Sequence, residues 1–337
     1  MNDYVADFET TLNEEDCHVW CFSITKISSA DDCYVGNDID EFFDYIKKLG
    51  NVTIYFHNLR FDGQFIIYYL LTHKYTHTTE RKLVKNTFTT LISGLGIFYS
   101  ITVKFENGNI IHFYDSLKKI PLKVKELPKA FGLEEAKGEI DYKKERPNGY
   151  IISKEEEEYV KNDTIIVAKS LEHQINEGLT KMTIGSDALN NLKSLIPFSD
   201  YFPVLDNEID DYIRKSYRGG WTYLNPKFAN KDIGKMCVYD VNSLYPSRMR
   251  YSLLPYGIPV YFKNKYVEDE KYPLYITHIR ACFTLKENGL PCVQDKSLRF
   301  FSPTEYIREY ININEPLDLY LTSVDLKLFM DMYEIIY

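Results

Sequence analysis

Asp7 and Glu9 stand two residues apart in the stretch YVADFET, a spacing that turns both carboxylates to one face of a β-strand. Asp62 ends the stretch VTIYFHNLRFD, after an apolar strand and just before Gly63, where a helix is expected to begin. Asp163 lies in EYVKND, four residues after Tyr159, so the two side chains share a helix face. Two strand acids, an acid at a strand-to-helix junction and an acid on a covering helix can converge on a pair of divalent ions ~4 Å apart. One ion would activate a water and the other would stabilise a leaving 3′ oxygen. A single DxE among 49 acidic residues carries little meaning. Three such stretches in this order, on these elements, carry much more.

A fifth acid points to related chemistry. MCVYDVNSLYPSRM, residues 236–249, reads as a strand ending on Asp240, with Asn242 and Ser243 able to cap a short helix through Leu244, Tyr245 and Pro246. One carboxylate at the end of a central strand suits a magnesium ion, but two-metal phosphoryl transfer needs a second carboxylate brought close by.

Hydrophobic periodicity marks the elements that must position these acids. Strands are expected over 4–9, 18–27, 51–56, 87–92, 96–105 and 110–114, and helices over 38–49 and 63–71. A long helix over Lys154–Asn176 opens with Ser153 as N-cap and acids in its first turn. Together these form an α/β domain with a mixed sheet that ends near residue 180. YRGGWTYLN at 217–225 is a Gly-Gly turn entering a strand, and a hinge between parts. Beyond Pro255, short strands and turns lead to a last helix capped at Ser323. Repeats, low-complexity segments and a polar tail are lacking.

A chain of 337 residues allows two or three domains, each with its own core. Its 29 Tyr and 20 Phe suit stacking on single-stranded nucleic acid, although most serve a core. A net charge of −9 argues against a protein that coats DNA by bulk electrostatics. It leaves room for an enzyme whose acids hold metal ions that in turn meet phosphates. The cysteines, Cys17, Cys21, Cys33, Cys237, Cys282 and Cys292, form no CxxC pair, and the Cys17-His18-Cys21 cluster lacks a second ligand pair at zinc spacing. Reduced, mostly buried thiols of a cytoplasmic protein are expected. The N-terminus lacks the charged and apolar regions of a signal peptide, and no apolar run approaches ~18 residues, so no membrane partner is expected.

DFET, HNLRFD and YVKND resemble the three exonuclease motifs of family B DNA polymerases. The match is nearest to the protein-primed branch found in small linear-genome phages, the phi-twenty-nine type. The resemblance runs along the whole chain, because YDSLKK, YKKERPNGY, YRGGW, DVNSLYP and LLPYG stand in that family's order. It implies a ribonuclease-H-like 3′–5′ exonuclease domain over 1–180 and the first part of a family B polymerase palm over 181–260. The start of a protein-primed-specific insertion subdomain, left incomplete, would occupy 261–337. Asp7, Glu9, Asp62 and Asp163 would hold two Mg2+ or Mn2+ ions, Tyr159 would orient the attacking water, and Lys137 would support the scissile phosphate. Thr10, Tyr55, His57, Asn58, Phe61, Phe65, Ser116, Leu117 and Tyr142 match positions that cradle a single-stranded 3′ end. Aromatic faces at 55, 61, 65 and 142 can stack bases without reading sequence, while amides and hydroxyls bind sugar and phosphate. Phe65, on an apolar helix, suits core packing equally well.

Tyr217, Arg218, Gly219 and Gly220 resemble the family's interdomain motif, which partitions a primer terminus between synthesis and proofreading. Two adjacent glycines let backbone approach DNA closely. DVNSLYP resembles polymerase motif A. Asp240 would bind both catalytic Mg2+ ions, the Val241 carbonyl would take one, Ser243 would contact DNA, and Tyr245 would pack under the incoming sugar and exclude a 2′-hydroxyl. The family's Asp-Thr-Asp motif, with the second carboxylates, and its nucleotide-binding lysine are absent from these residues; the only Asp-Thr is Asp163-Thr164. A complete exonuclease site and half a polymerase site are therefore expected, in a chain that stops inside the insertion and does not polymerise alone. The implied partners are DNA, as a single-stranded 3′ end or primer-template, and a terminal protein primer. A dNTP joins them only if the polymerase site is completed, for instance by a separately encoded C-terminal half that covers a palm sheet short of strands. For a phage gene the location is the host cytoplasm. A free-standing exonuclease and a non-catalytic subunit binding DNA and terminal protein are the alternatives; the latter has no chemical use for four intact acids.

Overall fold

From the N-terminus the chain runs β1 (Asp3–Thr10), β2 (Val19–Lys26), β3 (Ser29–Gly36), α1 (Ile39–Ile46), β4 (Val52–Phe56) and α2 (Leu59–Thr72). It continues with β5 (Thr76–His77), β6 (Thr87–Ile92), β7 (Phe98–Lys104), β8 (Ile110–Asp115), α3 (Leu127–Phe131), α4 (Lys154–Asn176) and α5 (Ile184–Leu195). The computed structural model describes residues 3–12, 16–80, 82–136, 138, 140–263, 267, 269–295 and 305–337. The chain divides into two units, Met1–Leu195 and Ile196–Tyr337. The first extends past residue 180 because α5 is tied back to it. The buried Lys119 ammonium donates to Asp187 Oδ2 at 2.7 Å and to the carbonyls of Leu179 and Lys181 at 3.0 and 2.7 Å.

One mixed sheet of eight strands, in the order β3-β2-β1-β4-β8-β7-β6-β5, carries the first unit. β1 pairs antiparallel with β2 and parallel with β4, and β4 pairs parallel with β8. Apolar residues on one face of the sheet, among them Phe8, Ile54, Phe56 and Phe113, pack against Phe42, Phe43 and Ile46 of α1 and Ile66 and Leu70 of α2. The other face, with Val5 and Tyr55, packs against Ile166, Val167, Ala168 and Leu171 of α4. Side chains alternate along a strand, so Phe8 joins the first layer while Val5, Asp7 and Glu9 turn toward α4. That helix lies over β1, β2 and β3. Its start is fixed by a capping box: the Glu156 N–H donates to Ser153 Oγ at 3.3 Å, and the Ser153 N–H donates to Glu156 Oε2 at 3.0 Å. The result is an α/β fold of the ribonuclease-H-like kind.

The second unit contains α6 (Phe198–Tyr201), α7 (Asn207–Arg214), α8 (Leu244–Tyr251), β9 (Ile276–Ala281), β10 (Phe283–Leu285), β11 (Gln294–Asp295) and β12 (Glu305–Tyr306). β13 (Glu309–Tyr310), β14 (Leu317–Thr322), α9 (Ser323–Met332) and β15 (Tyr333–Ile335) follow. Its core is small, built around Phe283, Phe329 and Tyr333 with ring centroids 5.0–5.1 Å apart. β9 pairs with β14, and β10 lies between β13 and β15. The strand expected to end on Asp240 is not formed, and neither is the one after Gly220; a strand needs a hydrogen-bonding neighbour, and none of the described residues supplies one. Ser243 is the N-cap of α8 by position, but its backbone is left-handed (φ 52°) and its side chain makes no capping bond. The last helix is capped one residue earlier than expected, by Thr322, whose Oγ1 accepts from the Asp325 N–H at 3.2 Å. No helix among the described residues is long and apolar enough to cross a membrane. All six cysteines are free; Cys21 and Cys282 are buried, while Cys17 and Cys237 are exposed.

Candidate metal centre

β1 and α4 together bring three acids to one point. Asp7, Glu9 and Asp163 each offer a carboxylate oxygen, and these oxygens all lie within 4.8 Å of one another. Beside them a cavity of about 150 Å³ is lined by Val5, Ala6, Asp7, His57, Val124, Asp163, Thr164 and Val167. Asp62 belongs to the first turn of α2, which starts at Leu59 rather than at Gly63. Its Oδ1 accepts from the Phe8 N–H at 3.3 Å, which holds it to the same end of β1. Burial pushes the Asp62 carboxyl well above the usual carboxylate range. Its own backbone N–H and that of Phe8 pull the other way, and the charges of Glu9 and Asp115 add to the rise. A hard divalent cation relieves this accumulation of negative charge, and an all-carboxylate donor set suits Mg2+ or Mn2+.

Tyr159 sits one helical turn before Asp163, buried, with its hydroxyl 2.7 Å from that of Tyr142. Burial, that hydrogen bond and the charges of Asp163 and Glu9 push its phenol far up, so it remains protonated. Gly138 fits against the Tyr159 ring, where an added Cβ would come within 3.1 Å. Lys137 lies outside the described residues.

The turns after β4 and β8 leave the same end of the sheet, because Phe56 and Asp115 are register partners. His57 Nε2 donates to the Leu122 carbonyl at 2.7 Å, and its Nδ1 is 2.9 Å from Ser116 Oγ. Ser116 Oγ donates to the Phe56 carbonyl at 3.1 Å. Asn58 is exposed and left-handed (φ 80°), and Leu117 follows Ser116 in a 3₁₀ turn, Ser116–Lys118. Phe61 and Phe65 form a tilted pair 5.7 Å apart, Phe61 47 % exposed and Phe65 partly packed on the core. Tyr142 is 48 % exposed, and Thr10 is half-buried at the end of β1. Tyr55 is corrected: at 6 % exposure it belongs to the core beneath α4, edge-on to Tyr114 at 5.9 Å, and offers no face to a base. Its phenol is pushed up by burial.

Sequence reasoning missed Asp115. This buried side chain ends β8, accepts from the Asn58 and Leu117 N–H groups, and pairs with Lys118 at 3.3 Å. The signal was present in YDSLKK, a strand-ending Asp followed by Ser, the pattern of an Asx turn.

In the second unit Asp240, Val241, Tyr217, Gly219 and Tyr245 are exposed, as is Ser243. An added Cβ on Gly220 would meet the Tyr245 hydroxyl at 3.4 Å. Arg218 Nη1 donates to the Lys215 carbonyl at 2.8 Å. Among the described residues Asp240 belongs to no group of three or more side chains able to hold a metal.

A family model for DNA polymerase type B, organellar and viral, matches residues 46–336. The DNA polymerase of Bacillus phage M2 is 44 % identical over 339 residues, which cover 98 % of this chain and 58 % of that protein. Two solved structures of Phi29 DNA polymerase superpose on 99 % of this chain at 42 % identity. The complex with primer-template DNA and incoming nucleotide gives a TM-score of 0.89 over 59 % of its length. The complex with single-stranded DNA gives 0.84 over 58 %. The chain thus spans somewhat more than half the length of the proteins it matches. With that match along nearly its whole length, this chain belongs to the type B DNA polymerases of organelles and viruses, and corresponds to an N-terminal portion of the phi29-type phage enzymes.

Proposed function

We propose that the first unit is a two-metal 3′–5′ exonuclease that removes nucleotides from single-stranded DNA 3′ ends, within a protein-primed DNA polymerase. The observation that carries this reading is the convergence of Asp7, Glu9 and Asp163 from a strand and its covering helix, with Asp62 held to the same strand by the Phe8 N–H. Bound there, a pair of divalent ions supplies an activated water and compensates charge on the leaving 3′ oxygen. The protein's part is placement. The four acids fix the donor set, the protonated Tyr159 hydroxyl holds the water's approach, and Phe61 and Tyr142 stack the terminal bases. His57, Asn58, Ser116, Leu117 and Thr10 line the path of the strand, and the kinship assigns support of the scissile phosphate to Lys137, which lies outside the described residues.

Asp240 with the Val241 carbonyl is half of a nucleotidyl-transfer site. Two metals and a triphosphate require further carboxylates, which residues outside these 337 would contribute, on the same polypeptide or a second one. Tyr245 then selects the deoxyribose, and Tyr217–Gly220 with Ser243 hold the primer-template. Terminal protein, dNTP and the host cytoplasm enter by the same kinship. Single-stranded DNA and primer-template are supported as ligands by the complexes of the phi29 polymerase.

Digestion of a 5′-labelled single strand with Mg2+ or Mn2+ tests the exonuclease. Wild type should give a descending ladder, and Asp7→Ala should slow it by about 10³-fold or more. A ladder that persists in Asp7→Ala would contradict the assignment, as would a folded wild-type protein that leaves the strand intact.

A further inference from the structure

We propose that Asp115 is a positioning residue that sets the spacing between the two turns cradling the DNA 3′ end; this rests on the exonuclease reading above. Its Oδ1 accepts two backbone N–H groups from different turns, Asn58 N–H after β4 and Leu117 N–H after β8, each at 3.0 Å. One oxygen atom thereby joins the segment that carries His57 and Asn58 to the segment that carries Ser116 and Leu117. The joint is load-sensitive for two reasons. Asn58 adopts a left-handed backbone, which a non-glycine residue leaves readily unless something holds it. It also precedes α2 without giving a side-chain cap, and Asp115 holds its N–H. The Leu117 N–H belongs to the start of a 3₁₀ turn, Ser116–Lys118, and has no partner within that turn.

Burial makes this geometry firm. Asp115 is 1 % exposed, so water does not compete for its hydrogen bonds, and a donor stripped of its acceptor there is costly. The β4–β8 register sets Phe56 opposite Asp115, which brings the two turns close enough for one carboxylate to serve both. Ser116 Oγ, bonded to the Phe56 carbonyl, makes a second joint on the same line. Asp115 itself touches no reacting group. It acts through the turns, and its loss frees them to separate.

Exonuclease kinetics on a single-stranded oligonucleotide, with amide hydrogen exchange on the same proteins, test this. Asp115→Ala should raise KM by about tenfold while kcat changes less than about threefold, because ground-state binding is lost. Asp115→Asn retains an oxygen acceptor of the same reach and should keep KM within about threefold of wild type. The Asn58 and Leu117 amides should exchange faster in Asp115→Ala and stay protected in Asp115→Asn. If Asp115→Ala does not fold, Asp115→Glu, with its acceptor displaced by one methylene, should show the same rise in KM. Unchanged KM in the Ala or Glu variant overturns the proposal. So does equal damage in Asp115→Asn and Asp115→Ala, which would make the charge the active property. If wild type shows no activity that Asp7→Ala removes, the exonuclease reading fails, and the exchange pattern alone then decides whether Asp115 spaces the turns.

Discussion

Asp7 and Glu9 reach α4 because β1 alternates: Phe8 fills the core on the α1–α2 side, and its neighbours must point the other way. Asp163 meets them because the apolar face of α4 continues through Ile166 and Val167 into the same layer. Those three acids were legible in the sequence, since period two and a four-residue offset are geometric rules. Tyr159→Phe tests the next residue inward. It removes the hydroxyl bonded to Tyr142 but leaves the ring against Gly138, so kcat should fall about 10–100-fold with KM and fold intact. A wild-type kcat would remove Tyr159 from the chemistry. Tyr55 was misread for a physical reason. β4 is central and buried apart from the half-buried Thr53, so VTIYF offers too little polar alternation to tell a lining aromatic from a core one. Asp115 escaped because a lone Asp before Ser reads as an ordinary turn, and only the β4–β8 register shows that it serves two turns.

At the scale of elements, α4 is the part on which the acid cluster depends, and its first turn is locked from several sides. Arg146 donates to Glu156 Oε1 through Nε and Nη2 at 3.1 and 3.0 Å, while its guanidinium lies 4.3 Å from the Trp20 ring centroid. Tyr150 donates to Glu156 Oε2 at 2.7 Å. Burial opposes ionisation of Glu156, but the Ser153 N–H, Tyr150, Lys144 and Arg146 together outweigh it and lower its pKa to about 2. A carboxyl whose folded pKa is depressed stabilises the protein above its unfolded value, and that contribution is lost as pH falls toward the folded one. Wild type should therefore exceed Glu156→Gln in urea midpoint at neutral pH, and the gap should close between about pH 4.5 and pH 2. A gap that stays constant across that window would mean that the carboxylate's charge contributes nothing. The helix and its Ser153 cap were readable because capping boxes are local. The edge strand β3 was not, since SADDCYVG is polar for a strand, as edges often are. The start of α2 was placed four residues late, because its first turn carries Arg60 and Asp62 and the apolar run begins only later.

At the scale of the molecule, the two units differ in how far they bury their apolar residues. The first has a continuous sheet with helices on both faces. The second leaves Val238 and Tyr239 about nine-tenths exposed, beside Asp240, and its expected strand there has no neighbour among the described residues. A strand pattern is legible in sequence, but pairing is a property of two segments, and here the second segment is not among those described. The same logic applies to chemistry: Asp7, Glu9 and Asp163 gather in the first unit, while Asp240 belongs to no group of three or more metal-holding side chains among the described residues. The most direct test gives the purified 337-residue chain a 5′-labelled primer on a template, with Mg2+ and all four dNTPs, beside an Asp163→Asn control. Progressive shortening of the primer, abolished in the control and with no extended product, is the outcome this account predicts. Template-directed extension, or a primer that a folded wild-type chain leaves at full length, would contradict it.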